Sequence, residues 1–94
     1  MIKGFANKAA ELIFNGEFAK KVDPTIQQRA REKLMLIHAA VSLKDLQAPP
    51  GNRLEALTGN RIGQHSIRIN DQWRICFRWE GKDAIDVEIV DYHK

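Results

Sequence analysis

The residues best equipped for chemistry stand at the end of the chain, where Asp91-Tyr92-His93 directly follows the strand-like run Ala84-Ile85-Asp86-Val87-Glu88-Ile89-Val90. A carboxylate, a phenol and an imidazole at a strand end can move protons, and Arg68, Arg74 and Arg78, on strands expected beside them, can hold phosphate. Cleavage of RNA is the first chemistry to test against such a set. RNA is cut without a metal when its own 2′-hydroxyl attacks the adjacent phosphorus. The enzyme then positions the strand, accepts the hydroxyl proton, stabilises the added negative charge and protonates the departing 5′-oxygen. Arg68 and Arg74 suit the charge stabilisation, and Arg61 can reach the same groove from its loop. His93 suits proton transfer because an imidazole titrates near neutral pH. Asp91 can act as a base where desolvation strengthens it, or can orient His93 and hold it protonated. Tyr92 shares strand parity with Arg74 and can stack on a base or bond a phosphate.

Composition narrows the setting. Ninety-four residues make a single small domain, residues 1–94, with one core and no room for a second. The apolar positions near the start are interrupted by Lys3, Lys8 and Glu11, so neither a signal peptide nor a membrane span is expected, and the reading is cytoplasmic. Cys76 is the single cysteine, which rules out an internal disulfide or a cysteine-rich metal site and leaves it as a passive strand residue. No spacing of His, Cys and carboxylates resembles a metal site, and the chemistry above calls for no cofactor. The formal net charge of +3 is modest but unevenly spread: Arg53, Arg61, Arg68, Arg74 and Arg78 face only Glu55 and Asp71 within residues 53–78. Arginine binds phosphate through a planar fork and keeps its charge at working pH.

These groups need a scaffold. Asn7 caps a helix running from Lys8 to about Asn15 and stopped by Gly16. Asp23-Pro24 opens a second helix, on which Ile26, Ala30, Leu34, Ile37 and Val41 form one apolar stripe. Gln47-Ala48-Pro49-Pro50-Gly51 reads as a linker within the domain. The period then changes to two. Trp73, Ile75, Phe77 and Trp79 share one strand face, and Arg74, Cys76 and Arg78 share the other. If the flanking Ile67, Ile69, Ile85, Val87 and Ile89 face the same core, opposed residue numbers sum to even values. Short loops then set Ile67 against Ile75, Phe77 against Val87, Arg68 against Arg74 and Arg78 against Asp86. In that register Arg78 has a carboxylate partner, while Arg68 and Arg74 face each other and lack one. Like charges so opposed call for an anion between them. The expected architecture is α+β, two N-terminal helices on one face of a mostly antiparallel sheet with the arginine face open. Trp73 and Trp79 are core aromatics in this reading, and His38 and His65 are structural.

Three stretches carry a family resemblance: Arg53-Leu54-Glu55-Ala56-Leu57, then Gly59-Asn60-Arg61, then Gly63-Gln64-His65-Ser66-Ile67-Arg68-Ile69-Asn70-Asp71-Gln72-Trp73-Arg74-Ile75-Cys76-Phe77. Together with the closing Asp-Tyr-His, they resemble the HigB/GraT toxins of the RelE superfamily, the killer halves of bacterial toxin-antitoxin pairs. The resemblance covers nearly the whole chain and implies the compact RelE-like microbial ribonuclease fold. It further implies ribosome-dependent cleavage of mRNA in the decoding site and neutralisation by a HigA-like helix-turn-helix antitoxin, with operator DNA contacted only through the toxin-antitoxin complex. Arg74, Asp91, Tyr92 and His93 match functional residues of the family. Two positions depart from some HigB toxins, Glu55 in place of a histidine and Thr58 in place of a lysine. The first removes an acid/base that Glu55 itself can replace only if its acidity is shifted, and the second removes a phosphate-binding cation. GraT-like members share the Arg-Leu-Glu-Ala-Leu pattern, which makes the departure a subgroup trait. Two other functions fit the same fold: inhibition of another target, as expected of ParE-like relatives acting on gyrase, and RNA binding without catalysis. The terminal Asp-Tyr-His favours cleavage over the first.

Overall fold

The structure, a computed structural model, describes residues 1–92; His93 lies outside the described residues. Helix α1 (Lys8–Phe14) starts where expected, the Asn7 carboxamide oxygen accepting from the Ala10 amide at 3.0 Å. The same Asn7 donates through Nδ2 to the Ile89 carbonyl at 2.9 Å, so one side chain both caps the helix and ties it to the last strand. Beyond Asn15 the chain reverses at Gly16, whose φ of 82° lies in the left-handed region that favours glycine. Asp23 accepts from the Thr25 amide at 2.9 Å, but the turn it caps, Pro24–Ile26, is a 3-10 turn that leads into helix α2 (Gln27–Ala39).

Ala30, Leu34 and Ile37 of α2 are buried against the sheet, as their spacing requires. Val41 is not part of this stripe. The helix has ended by Ala40, whose backbone is extended, and Val41 is 65% exposed. The proline-rich linker is more ordered than its composition suggested: Ser42 and Asp45 form a reciprocal capping box on the 3-10 turn Leu43–Gln47, and Pro50–Asn52 forms another such turn. Asn52 is fully buried and donates through Nδ2 to the Leu46 and Ala48 carbonyls.

Four strands follow, β1 (Glu55–Ala56), β2 (His65–Arg68), β3 (Trp73–Glu80) and β4 (Asp83–Asp91), forming one sheet in the order β1-β2-β3-β4 with every neighbour antiparallel. Ile67 opposes Ile75 and Arg68 opposes Arg74, the register that the apolar alternation dictated. Between β3 and β4 the expectation holds only in part. Trp73 to Cys76 pair with Asp91 to Glu88 at an even sum, but a bulge shifts Arg78 onto Ile85, and Asp86 takes a φ of 52°. Two residues on β4 thereby occupy the space of one, and Arg78 still reaches Asp86, at 3.6 Å, although the two are not directly opposed.

The core lies between this sheet and the helices, with Ile13, Leu34, Ile37, Ile67, Ile75, Phe77 and Val87 at its centre. Complete burial of one such side chain stabilises the fold by about 1.5–3 kcal/mol. The other face is less open than the alternation implied, since Ser66 and Cys76 are wholly covered there. The first residues close the sheet beyond β4: Ile2 and Phe5 form parallel bridges to Ala84 and Val87, with Lys3 and Ala6 donating to the carbonyls of those two strand residues at 2.8 Å.

Candidate functional site

The arginine face carries a cleft of about 490 Å³ lined by Arg53, Glu55, Arg68, Asn70, Asp71, Arg74 and Tyr92. Arg74 is its fixed element. The Nε of Arg74 donates to Ser66 Oγ at 2.8 Å, one Nη donates to the Arg53 carbonyl at 2.8 Å, and the same nitrogen lies 3.3 Å from the Glu55 carboxylate. Its side chain is only 12% exposed, against 54% for Glu55. Each partner follows from local structure. Ser66 faces Cys76 in the β2–β3 register and therefore sits beside Arg74; Glu55 pairs with Ser66 across β1–β2; Arg53 adopts a left-handed backbone, φ 45°, that accompanies its inward carbonyl. Burying a guanidinium without such partners is costly, and here the partners fix its orientation as well as satisfy it.

Arg68 and Arg74 therefore do not face each other bare. Arg68 is paired with Asp71 three residues on, in the β2–β3 turn, and Arg74 with Glu55, so the expectation of two arginines lacking protein partners is corrected. The pairs differ in strength. Asp71 is 97% exposed, so water screens its attraction and leaves Arg68 readily available to another anion. Asn70 caps the turn by accepting from the Gln72 and Trp73 amides at 2.9 and 2.8 Å, which holds that end of the cleft in place.

Tyr92 lies against the same arginine, its ring centroid 6.0 Å from Arg74 Cζ. Its hydroxyl is 3.6 Å from Cys76 Sγ, and loss of water there, followed by the contact with Cys76, pushes the phenol up to about 12; Arg61 and Arg74 oppose the shift. Burial likewise pushes the Cys76 thiol up. At physiological pH both groups keep their protons, so the phenol is a neutral donor and stacking surface. A second hollow of about 310 Å³ adjoins the first, sharing Glu55 and Tyr92 and adding Thr58 and Arg61. Arg61 lines this second hollow and not the cleft of Arg68 and Arg74, held by an ion pair to Glu88 on β4 and a 3.0 Å bond to Gln64.

Asp91 goes elsewhere. It opposes Trp73 and so points from the opposite side of the sheet to Arg74, lining a groove of about 800 Å³ with Asn7, Lys8, Phe18 and Trp73 among others. Gln72 donates to Asp91 Oδ2 at 3.1 Å, and the Tyr92 amide donates to the Gln72 carbonyl at 2.7 Å, so one residue fastens the end of β4 twice. The structure thus brings together Arg68, Arg74, Tyr92 and Glu55, with Arg61 adjoining, but not Asp91. His93 is outside the described residues. The remaining histidines are packed: His65 stacks on Phe77, and His38 accepts the Ile2 amide on Nδ1 at 3.1 Å. Sequence reading missed Ser66, Arg53 and Glu88. The first was available from the β2–β3 register, which puts a small hydroxyl residue beside two arginines. The carbonyl of Arg53 depends on a backbone conformation that residue type does not announce.

Known proteins resemble this chain over most of its length. Toxin HigB-1 of Vibrio cholerae is 36% identical over 91 residues, covering 96% of this chain and 95% of its own. Endoribonuclease HigB of Proteus vulgaris is 31% identical over 93 residues, 99% of this chain and the whole of that one. An uncharacterized protein of Haemophilus influenzae is 31% identical over 69 residues, 73% of this chain and 68% of its own. The model of the RelE-like toxins of type II toxin-antitoxin system HigB matches residues 3–93. With a four-stranded antiparallel sheet, helices on one face and an arginine cleft on the other, the chain belongs to the HigB-like family of RelE-like type II toxins.

Proposed function

We propose that this toxin, acting as one domain over residues 1–94, is an mRNA endoribonuclease that works on the ribosome and thereby stops translation and growth. The reading is supported above all by Arg74, a guanidinium oriented by Ser66, Arg53 and Glu55 yet still lining an open cleft beside Arg68 and Tyr92. A relative over its full length carries the name endoribonuclease. In this mechanism Arg74 and Arg68 bind the scissile phosphate, which takes over the place of the Glu55 carboxylate on Arg74. They offset the negative charge that builds as the 2′-oxygen bonds to phosphorus and the bond to the 5′-oxygen breaks. Tyr92, neutral, stacks on a base or donates to the phosphate. His93 exchanges the protons, leaving a 2′,3′-cyclic phosphate and a 5′-hydroxyl. Asp91 contributes through the chain, its bond to Gln72 fixing the end of β4 next to Tyr92. Arg61, held on Glu88, contacts the neighbouring phosphate. Glu55 serves as the counter-ion of Arg74 in the resting protein.

A type II toxin implies an antitoxin partner. The partner in this reading is a HigA-like helix-turn-helix protein, and operator DNA is met only through their complex. Dependence on the ribosome follows from size: a small domain with a modest basic cleft has little surface with which to hold free RNA in an in-line geometry. Mapping mRNA 5′ ends by primer extension after brief induction tests the proposal. New in-frame breaks within translated regions, absent when the antitoxin is co-expressed, are expected. Normal growth and intact messages under strong induction of folded protein contradict it, as do equal rates of cleavage with and without ribosomes.

A further inference from the structure

The groove that holds Asp91 opens on the side of the sheet away from the arginine cleft. Its lining is largely apolar: Leu12 of α1, Val22 of the segment between the helices, and Trp73 and Ile89 of β3 and β4. Phe18 lines it as well and is 60% exposed. The segment that carries Phe18 is fastened to α2. Gln27 accepts from the Ala19 amide at 3.1 Å and donates to the Ala19 and Val22 carbonyls at 2.7 and 2.9 Å, so this wall is set before anything binds. Trp73, although buried, keeps an indole N–H with no acceptor among the described residues, where a covered indole donor ordinarily has one. Charge around the apolar lining is mostly of one sign. Lys8, Lys20 and Lys21 line the groove and are exposed, against Asp91, whose carboxylate accepts from Gln72. Lys8 shares its charge with Glu11 at 3.4 Å in a pair open to water, and Lys20 and Lys21 form no ion pair among the described residues. An exposed apolar surface rimmed by polar groups marks a place where another protein binds.

From this lining and rim we infer that the groove is a docking site for the antitoxin, which enters it with a peptide segment carrying a large apolar side chain flanked by carboxylates. A type II toxin implies such a partner. Apolar contact with Phe18 and the floor supplies the anchor, and the carboxylates meet Lys8, Lys20 and Lys21. Two other occupants fit less well. An RNA strand would lay phosphate beside Asp91 and over an apolar floor. A second copy of this chain, meeting the first face to face, would set the three lysines against their own images. The inference rests on membership of the toxin family and not on the RNA-cutting reading.

The test measures association and dissociation rates of the purified cognate antitoxin on the full-length toxin by biolayer interferometry. Phe18→Ser and the double variant Lys20→Glu with Lys21→Glu alter the groove. Val41→Ser and Lys44→Glu are the controls, exposed residues of matching kind that line none of the three hollows. Phe18→Ser should weaken binding about tenfold or more, chiefly through faster dissociation. Charge reversal should slow association, most of all at low salt. Both controls should bind as the parent does, and with antitoxin left out all four variants should keep the parent's rate of mRNA cleavage on ribosomes. An unchanged thermal midpoint separates lost docking from lost fold, and the lysine variant, altered only at exposed positions, decides the matter should Phe18→Ser unfold. Parent-like affinity in both groove variants overturns the inference, as do equal losses in the controls. So does a loss of binding to programmed ribosomes with antitoxin binding intact, which gives the groove to RNA. A toxin dimer that Phe18→Ser dissolves while antitoxin binding persists gives the groove to a second copy and likewise overturns it. A parent that binds the antitoxin through the groove yet cuts no mRNA leaves the docking site standing while the endoribonuclease reading fails.

Discussion

Two arginines of one strand, Arg74 and Arg78, have the same parity, the same side of the sheet and a carboxylate each, yet they meet different fates. Arg74 is enclosed by Ser66, the Arg53 carbonyl and Glu55, with its side chain 12% exposed. Arg78 lies beyond the bulge, 3.6 Å from Asp86, and the two are 41% and 57% exposed. Water competes for every bond Arg78 makes, whereas Arg74 keeps its geometry before any substrate arrives. An ion pair on a strand is thus not a functional sign in itself. What separates the two is how much of the surrounding structure is committed to holding the guanidinium.

The largest consequence of that difference is expected from Arg74→Ala, which should lower the rate of mRNA cleavage about a hundredfold or more and abolish toxicity on induction. Retained antitoxin binding separates loss of chemistry from loss of fold. Full cleavage by a folded Arg74→Ala protein would remove the basis of the comparison. His93→Gln should also reduce cleavage while antitoxin binding persists.

A finer test lies in the partner of Arg74. Glu55→Gln removes the charge that competes with phosphate, so KM for programmed ribosomes should fall and kcat should stay. A collapse of kcat with KM unchanged would make Glu55 an acid or base and not a counter-ion. The change sharpens the comparison because Asp86→Asn, at the exposed pair, should move neither constant.

Tyr92→Phe should act through pH. The folded phenol is pushed from 10.0 to about 12, so the folded protein binds more protons than the unfolded chain between those values. The contribution is therefore present below pH 10 and is lost as pH rises toward 12. Chemical denaturation across that window should show a shallower alkaline fall in stability for Tyr92→Phe than for the parent. Equal slopes would mean that the hydroxyl is solvated when folded. The smallest effect is expected from Arg78→Ala: activity retained, and a stability change of about 0–1 kcal/mol, read from the denaturant midpoint.

Much of this organisation was legible because it rests on alternation and capping. Ile67 against Ile75 and Arg68 against Arg74 follow from keeping apolar side chains on one face, and Asn7 and Gly16 mark α1 at both ends. The bulge at Asp86 was not legible, since the odd residue carries no glycine to signal a positive φ and its neighbours alternate regularly on either side. Val41 misled because helical spacing was counted past a helix end with no glycine or proline to mark it. At the site, residue types pointed to Arg74 and Tyr92, but the ring of partners around Arg74 joins β1, β2 and β3 and becomes visible only when those strands are assembled. Asp91 shows the converse: adjacent to Tyr92 in sequence, it is sent to the opposite face by strand alternation.

The bridges from Ile2 and Phe5 to Ala84 and Val87 join segments about eighty positions apart. During synthesis the early segment emerges seconds before its partner does, since chains grow at about 5–20 residues per second. Throughout that interval β4 is still unmade, so neither the sheet edge that receives the first residues nor Tyr92 beside Arg74 can form. The cleft that joins Arg74 to Tyr92 therefore exists only once residues 83–92 have been made and have taken their place in the sheet.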